Sequence, residues 1–181
     1  MDYQIKSTTI LGVRTRGTVA LGGDGQVTFG DMALKQKAVK VRRFELDNGV
    51  VLGGFAGAAA DAMTLFEKFE KKLEEYDGDL RRSVVELAKE WRTDKYLRNL
   101  DALLALMDRK SSFLVSGDGN VIEPDGPVIA IGSGGGFAQA AATAFLKSTK
   151  WEAGKIVQKA MGIAADLCIY TNDAITVLEV E

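Results

Sequence analysis

Apolar residues crowd two short runs near the start of the chain, "TTILGVR" (8–14) and "TVALGGD" (18–24), with the polar break "TRG" (15–17) between them. Runs of this length bounded by turn residues predict two strands joined as a hairpin. A second hairpin is predicted from "KVRRFEL" (40–46) and "VVLGGFA" (50–56), closed by Asp47-Asn48-Gly49, where Asn-Gly supplies the positive φ angles of a tight turn. From residue 58 the period lengthens. Ala62, Leu65, Phe66, Phe69, Leu73 and Tyr76 fall on one helical face, while Glu67, Lys68, Lys71 and Glu75 fall elsewhere. After "DGD" (77–79) a second amphipathic helix carries Leu80, Val84, Leu87, Ala88 and Trp91. Strands return at 102–108, 112–118, 120–124 and 128–132, followed by an alanine-rich helix over about 136–147. Thr149 and Glu152 have capping-box spacing ahead of a last long helix, whose inner face is read as Ile156, Ala160, Ile163, Ala164 and Leu167. "AITVLEV" (174–180) closes the chain as a strand.

The order is strands, two helices, strands, two helices, strand. Strands grouped apart from paired helices argue against strict β-α-β alternation. The pattern predicts an α+β, four-layer αββα sandwich, with two antiparallel sheets face to face and a helix pair outside each. With 181 residues, 46% of them hydrophobic, one domain can bury a substantial core. The single cysteine, Cys168, cannot form an internal disulfide, and "MDYQIKSTT" has no apolar stretch, so a reducing cytoplasmic setting is expected. A formal charge of −2 gives no overall pull toward nucleic acid or an anionic membrane. "KQKAVKVRR" (35–43) is a local basic run, read as a solvated edge strand.

The chain contains no histidine, which excludes Ser–His–Asp and Cys–His catalysis. Three features remain. "IAIGSGGGF" (129–137) is a glycine loop between strand and helix, but the dinucleotide pattern fails at Phe137 and no Walker lysine follows, which favours a tight structural turn. Cys168 in "DLCIYTND" has no partner to ionise it and reads as packing, although carbonyls at a helix C-terminus suit a hard cation. In Ser7-Thr8-Thr9, cleavage before Thr8 creates a hydroxyl and a free α-amine on one residue. An α-amine titrates near pH ~7.7–8.0, low enough to replace histidine as a base. Such a group needs a carboxylate to orient it and a cation to keep it neutral, for which Asp24 and Lys40 are the candidates.

"TTILGVR", "GDGQVTFG", "KVRR", "GFAG", "DAMTLFEKFEKKLEEY", "ELAKEWRTDK", "IAIGSGGGFAQAAA" and "CIYTND" resemble, in the same order, the HslV family of proteolytic subunits from the bacterial ATP-dependent HslVU protease. These are N-terminal nucleophile hydrolases, proteasome β-subunit-like, and their αββα sandwich agrees with the element order above. The resemblance implies a threonine-type endopeptidase, with residues 1–7 as a leader and 8–181 as the catalytic domain. It implies Thr8 as nucleophile, Asp24 beside it, Lys40 holding down the amine's pKa, Gly54 stabilising the oxyanion through its N–H, and Ser133 near the amine. It further implies a sodium site on the carbonyls of Ala165, Cys168 and Thr171, with no cofactor for the chemistry. The implied partners are the AAA+ ATPase HslU, eleven further copies in two stacked hexameric rings, and unfolded polypeptide substrates, with neither nucleic acid nor membrane.

The sequence departs from the family in three places. Alanine replaces the usual glycine at 165, "FELDNGVV" (44–51) is about two residues longer than the usual hairpin, and "MDYQIKS" requires a longer cut than loss of a methionine. Ser7 is a competing nucleophile, and the Thr-Thr-Ile register favours Thr8. Two other functions are carried as alternatives, a noncatalytic assembly subunit of the same fold and a small-molecule amidase.

Overall fold

The computed structural model describes residues 8–57, 59–97, 100 and 102–181, so the leader expected over residues 1–7 lies outside the described residues. The first hairpin pairs β1 (Thr9–Arg14) with β2 (Val19–Gly23). A short hairpin follows, β3 (Val27–Phe29) with β4 (Met32–Lys35). Then come β5 (Val41–Leu46), β6 (Gly49–Gly57), α1 (Ala59–Glu75) and α2 (Leu80–Thr93). The second half runs β7 (Ala102–Met107), β8 (Ser112–Ser116), β9 (Val121–Ile122), β10 (Val128–Gly132), α3 (Gly135–Ser148), α4 (Ala153–Leu167) and β11 (Thr176–Val180).

Two sheets carry the architecture, ordered β10-β1-β2-β11 and β5-β6-β7-β8-β9, and every pair in them is antiparallel. The predicted four layers are present. Ile10, Leu21, Val41, Leu52, Met107, Ile129 and Ile131 fill the space between the sheets. The aromatic and leucine face of α1 and α2 packs outside the five-stranded sheet, and the small residues of α3 and α4 pack outside the other. Strand alternation sorts these cores: Ile10 points between the sheets, while Leu11 and Val13 point at the helices. Because both faces of β1 are covered, its apolar run is nearly continuous rather than alternating.

Several local expectations are corrected. Thr149 is the C-cap of α3, its Oγ1 donating to the Phe145 carbonyl at 2.8 Å, and α4 starts after Glu152, which makes no side-chain cap. The inner face of α4 is Ala153, Ile156, Val157, Ala160, Met161 and Ala164, whereas Ile163 and Leu167 are exposed. Those two lie off the stripe because α4 meets β1 and β2 through the neighbouring face, where Val157 and Met161 pack against Gly22 between the small Ala153, Ala160 and Ala164. The loop between β5 and β6 is Asp47-Asn48, and neither residue has a positive φ. Within the basic run 35–43, Lys35 and Lys37 are exposed but Lys40 is buried, which a solvated strand does not explain. The β3–β4 hairpin has no clear alternation and was not predicted.

Candidate active site

One end of the four-stranded sheet holds a buried polar cluster. Asp24 follows β2 and is fully buried, and Lys40 precedes β5 with 3% exposure. Lys40 Nζ lies 2.9 Å from Asp24 Oδ1 and donates to the Gln26 carbonyl at 2.5 Å. The same Oδ1 accepts the Thr9 amide at 2.8 Å, and Oδ2 accepts the Gln26 amide at 3.0 Å. Asp24 also donates its own amide to the Thr9 carbonyl at 3.1 Å, so this carboxylate and its backbone grip both sides of the first residue of β1. An ion pair this buried persists only when its remaining polar atoms are satisfied, and here backbone groups do so. Burial lowers the Lys40 pKa from the ordinary 10.5, with the Asp24 charge and hydrogen bond opposing part of that shift.

Thr8 is buried at the start of β1. Gly132, at the end of β10, pairs with Thr9 and adopts φ +89°, and a Cβ there would stand 2.0 Å from the Thr8 carbonyl oxygen. Gly134 is equally constrained, because a Cβ would meet Thr9 Oγ1 at 2.2 Å and Thr171 Oγ1 at 2.6 Å. The glycine run "GSGGG" therefore permits close approach to β1, as a structural turn. Ser133 lies in that turn, exposed and next to Gly132. Gly54 pairs with Val41, the residue after Lys40, and a Cβ on it would lie 2.6 Å from Ile10 Cγ2. Thr8, Asp24, Lys40, Gly54 and Ser133 thus gather around the first residues of β1, although 125 residues separate Thr8 from Ser133 in sequence.

The segment after α4 closes the same end. Thr9 Oγ1 and Thr171 Oγ1 are 2.7 Å apart, and the Cys168 carbonyl accepts the Thr171 amide at 3.0 Å, folding 168–171 into a turn. Cys168 is buried as the C-cap of α4, in agreement with a packing role. Gln26 Nε2 donates to the Ile169 carbonyl at 2.8 Å, which ties this turn to the segment after β2 that carries Asp24.

The proteasome subunit family model matches residues 5–180, essentially the whole chain. The chain belongs to the proteasome subunit family. It is also similar to a crystal structure of eukaryotic HslV from Trypanosoma brucei, with 45% identity and a TM-score of 0.88, the match covering 96% of this chain and 99% of that one. Identity at this level over full length makes this proteasome-family subunit HslV-like and a threonine-type peptidase, with the N-terminal nucleophile hydrolase fold expected from the element order.

Three contributors to this polar cluster were missed from sequence. Thr9 stands in the quoted "TTILGVR", Gln26 in "GDGQ" and Asn172 in "CIYTND", yet their partners lie up to 162 residues away. Only an unusual density of polar residues beside buried strand ends signalled them. Among the described residues, no helix is long and apolar enough to cross a membrane.

Proposed function

We propose that this chain is the proteolytic subunit of an HslVU-type protease, with Thr8 as the N-terminal nucleophile once residues 1–7 are removed. The observation that carries the reading is the buried Lys40–Asp24 pair at the root of β1, with Asp24 Oδ1 on the Thr9 amide. A lysine ammonium there favours the neutral form of a nearby α-amine by like-charge repulsion. The neutral amine, directly or through a water, takes the Thr8 hydroxyl proton, and the oxygen attacks a substrate carbonyl. The Gly54 N–H receives the developing oxyanion; as it collapses the scissile C–N bond breaks, the Thr8 ammonium, with Ser133 near it, returns its proton to the leaving amine, and water then hydrolyses the acyl ester and restores the Thr8 hydroxyl. While the Ser7–Thr8 bond is intact, the Thr8 nitrogen is an amide whose lone pair is delocalised, so it is no base. The chain retaining residues 1–7 is therefore an inactive precursor.

By the same reading the protein works in the cytoplasm as a homododecamer of two hexameric rings, fed unfolded polypeptides by HslU. A chain with Thr8, Asp24 and Lys40 all present is poorly explained as a noncatalytic assembly subunit or a small-molecule amidase. The carbonyls of Ala165, Cys168 and Thr171 would hold a sodium ion. They are hard oxygen donors, and the first two belong to the end of α4, where carbonyls lack helical partners. That ion would brace the turn and supplies nothing to the acyl transfer.

A fluorogenic peptide assay with and without HslU, paired with intact-mass measurement, tests the reading. Thr8→Ala should abolish hydrolysis while rings still assemble, and active preparations should contain a species beginning at Thr8. Full activity in homogeneous Thr8→Ala would overturn the assignment, and loss of activity only in Ser7→Ala would move it to Ser7.

A further inference from the structure

Asn172 has no part in the chemistry above, yet it makes three hydrogen bonds to segments that carry the site. Its Oδ1 accepts the Gly25 amide at 3.0 Å, and its Nδ2 donates to the Gln36 carbonyl at 2.9 Å and to Gln36 Oε1 at 2.8 Å. Gly25 directly follows Asp24, and Gln36 begins the irregular stretch that ends at Lys40. The two segments are closely apposed at this point. The Gly25 carbonyl accepts the Ala38 amide at 2.8 Å, and a Cβ on Gly25 would stand 2.4 Å from the Gln36 carbonyl oxygen and 3.0 Å from that of Ala174.

We propose that Asn172 is a positioning residue that sets the separation of Asp24 and Lys40 by clamping the backbones on which they ride. The proposal rests on the reading of Lys40 and Thr8 given above. Gly25 is buried, so removing the Oδ1 acceptor leaves its N–H unsatisfied and favours a shift of the 24–26 segment toward water or another acceptor. Asp24 moves with it, and its hold on the Thr9 amide and on Lys40 Nζ loosens together. A misplacement of about 1 Å in such a group costs up to ~100-fold in rate. Substrate binding is not the target, because among the described residues the Asn172 side chain hydrogen-bonds to these two segments alone.

The test compares Asn172→Ala, Asn172→Asp and Thr8→Ala in the full chain assembled with HslU, with kcat expressed per active site titrated by an electrophilic peptide. Asn172→Ala should lower kcat about tenfold with KM within about twofold of the parent, the split expected when a transition-state interaction alone is lost. Asn172→Asp keeps an acceptor for Gly25 but sets a carboxylate oxygen against the Gln36 carbonyl, so it opens the Gln36 side of the clamp and should also lower kcat, by at least about threefold, with KM within about twofold of the parent. A kcat for Asn172→Ala within twofold of the parent overturns the proposal, as does a near-parental kcat for Asn172→Asp, which would show that the Gln36 bonds align nothing. If Asn172→Ala does not fold, Asn172→Asp decides alone: a loss of kcat at unchanged KM in folded protein supports the clamp, and near-parental kcat overturns it. Activity in Thr8→Ala would instead remove the underlying assignment of the nucleophile, a separate result from failure at Asn172.

Discussion

The two helix layers of this molecule are built from different materials. Outside the five-stranded sheet, Phe44, Phe66 and Phe69 meet edge-to-face, with Phe44–Phe66 centroids 5.7 Å and Phe44–Phe69 centroids 5.2 Å apart, and Trp91 is buried with its Nε1 donating to the Leu97 carbonyl. Outside the four-stranded sheet, the core has no buried ring and mixes Ala138, Ala142, Ala153, Ala160 and Ala164 with Ile156, Val157 and Met161, and Gly22 faces Val157 and Met161 so closely that a Cβ would be 2.4 Å from Val157 Cγ1. Large rings contribute stability through buried area, and they tolerate a helix at some distance from its sheet. Small residues contribute less area per side chain but let α4 approach β1 and β2. That approach delivers the 168–173 turn onto Thr9, Gly25 and Gln26. One layer is mass for the fold, and the other is alignment for the site.

Three substitutions can break or sharpen this contrast. The largest effect on activity and stability together is expected from Lys40→Met, which leaves Asp24 buried without its cation and should cost about 3 kcal/mol, the low end for a broken buried pair because the Thr9 and Gln26 amides still donate. Most peptidase activity should go with it. Its pH signature follows from the lowered Lys40 pKa: the folded protein gives up that proton before the unfolded chain does. The contribution to stability is therefore complete above the unfolded value near 10.5 and is lost as pH falls through the lowered folded value. Thermal denaturation against pH should show the parent gaining stability across that alkaline window, with Lys40→Met flatter. Overlaid pH–rate profiles for the two proteins would reduce Lys40 to a structural cation.

Phe69→Ala comes next, with a loss of about 3–4 kcal/mol from the cavity it leaves, measured by denaturant unfolding. Because Phe69 belongs to the core outside the five-stranded sheet, a different cluster from the ones beside β1, kcat per titrated site should stay within about twofold of the parent. A tenfold fall in kcat at unchanged ring assembly would show that the aromatic layer aligns the site too. The smallest change in stability is expected from Gly22→Ala, about 1–2 kcal/mol of overpacking against Val157 and Met161. Its kcat should nevertheless fall further than that of Phe69→Ala, since displacing α4 displaces the turn beside Thr9. If Gly22→Ala leaves kcat untouched, the close approach of α4 serves packing only.

Legibility in the sequence followed the same division. The stripe Ala62, Leu65, Phe66, Phe69, Leu73 and Tyr76 at α1 and the stripe Leu80, Val84, Leu87, Ala88 and Trp91 on α2 were readable because large apolar side chains recur at helical spacing, and all of them are buried except Tyr76, which follows the end of α1 and is half-buried. On α4 the periodicity misled, because alanine and glycine carry little hydrophobic contrast and the bulkier Ile163 and Leu167 face outward. Thr149 with Glu152 matched a local cap pattern, but Glu152 Oε2 lies 3.2 Å from the Thr18 hydroxyl in the β1–β2 turn, and the Thr149 hydroxyl turns back onto α3. A tertiary partner won over a local one.

What the sequence by itself determined is the order of elements apart from the β3–β4 hairpin, the four layers, and the exclusion of histidine-based catalysis. These depend on residue type and on spacing over a turn or a strand, where the physics is local. Thr8, Asp24 and Lys40 were nominated by the need for a base, a carboxylate and a cation, and by resemblance to a family. Only the tertiary structure decided that Lys40 is buried against Asp24 while Lys35 and Lys37 beside it are solvated. Only it brought Thr171, Asn172 and Ile169 against residues 9, 25 and 26, more than 140 positions earlier in the chain. Hydrogen bonds at that separation leave no period in the sequence, because they exist only after the two sheets and α4 have packed.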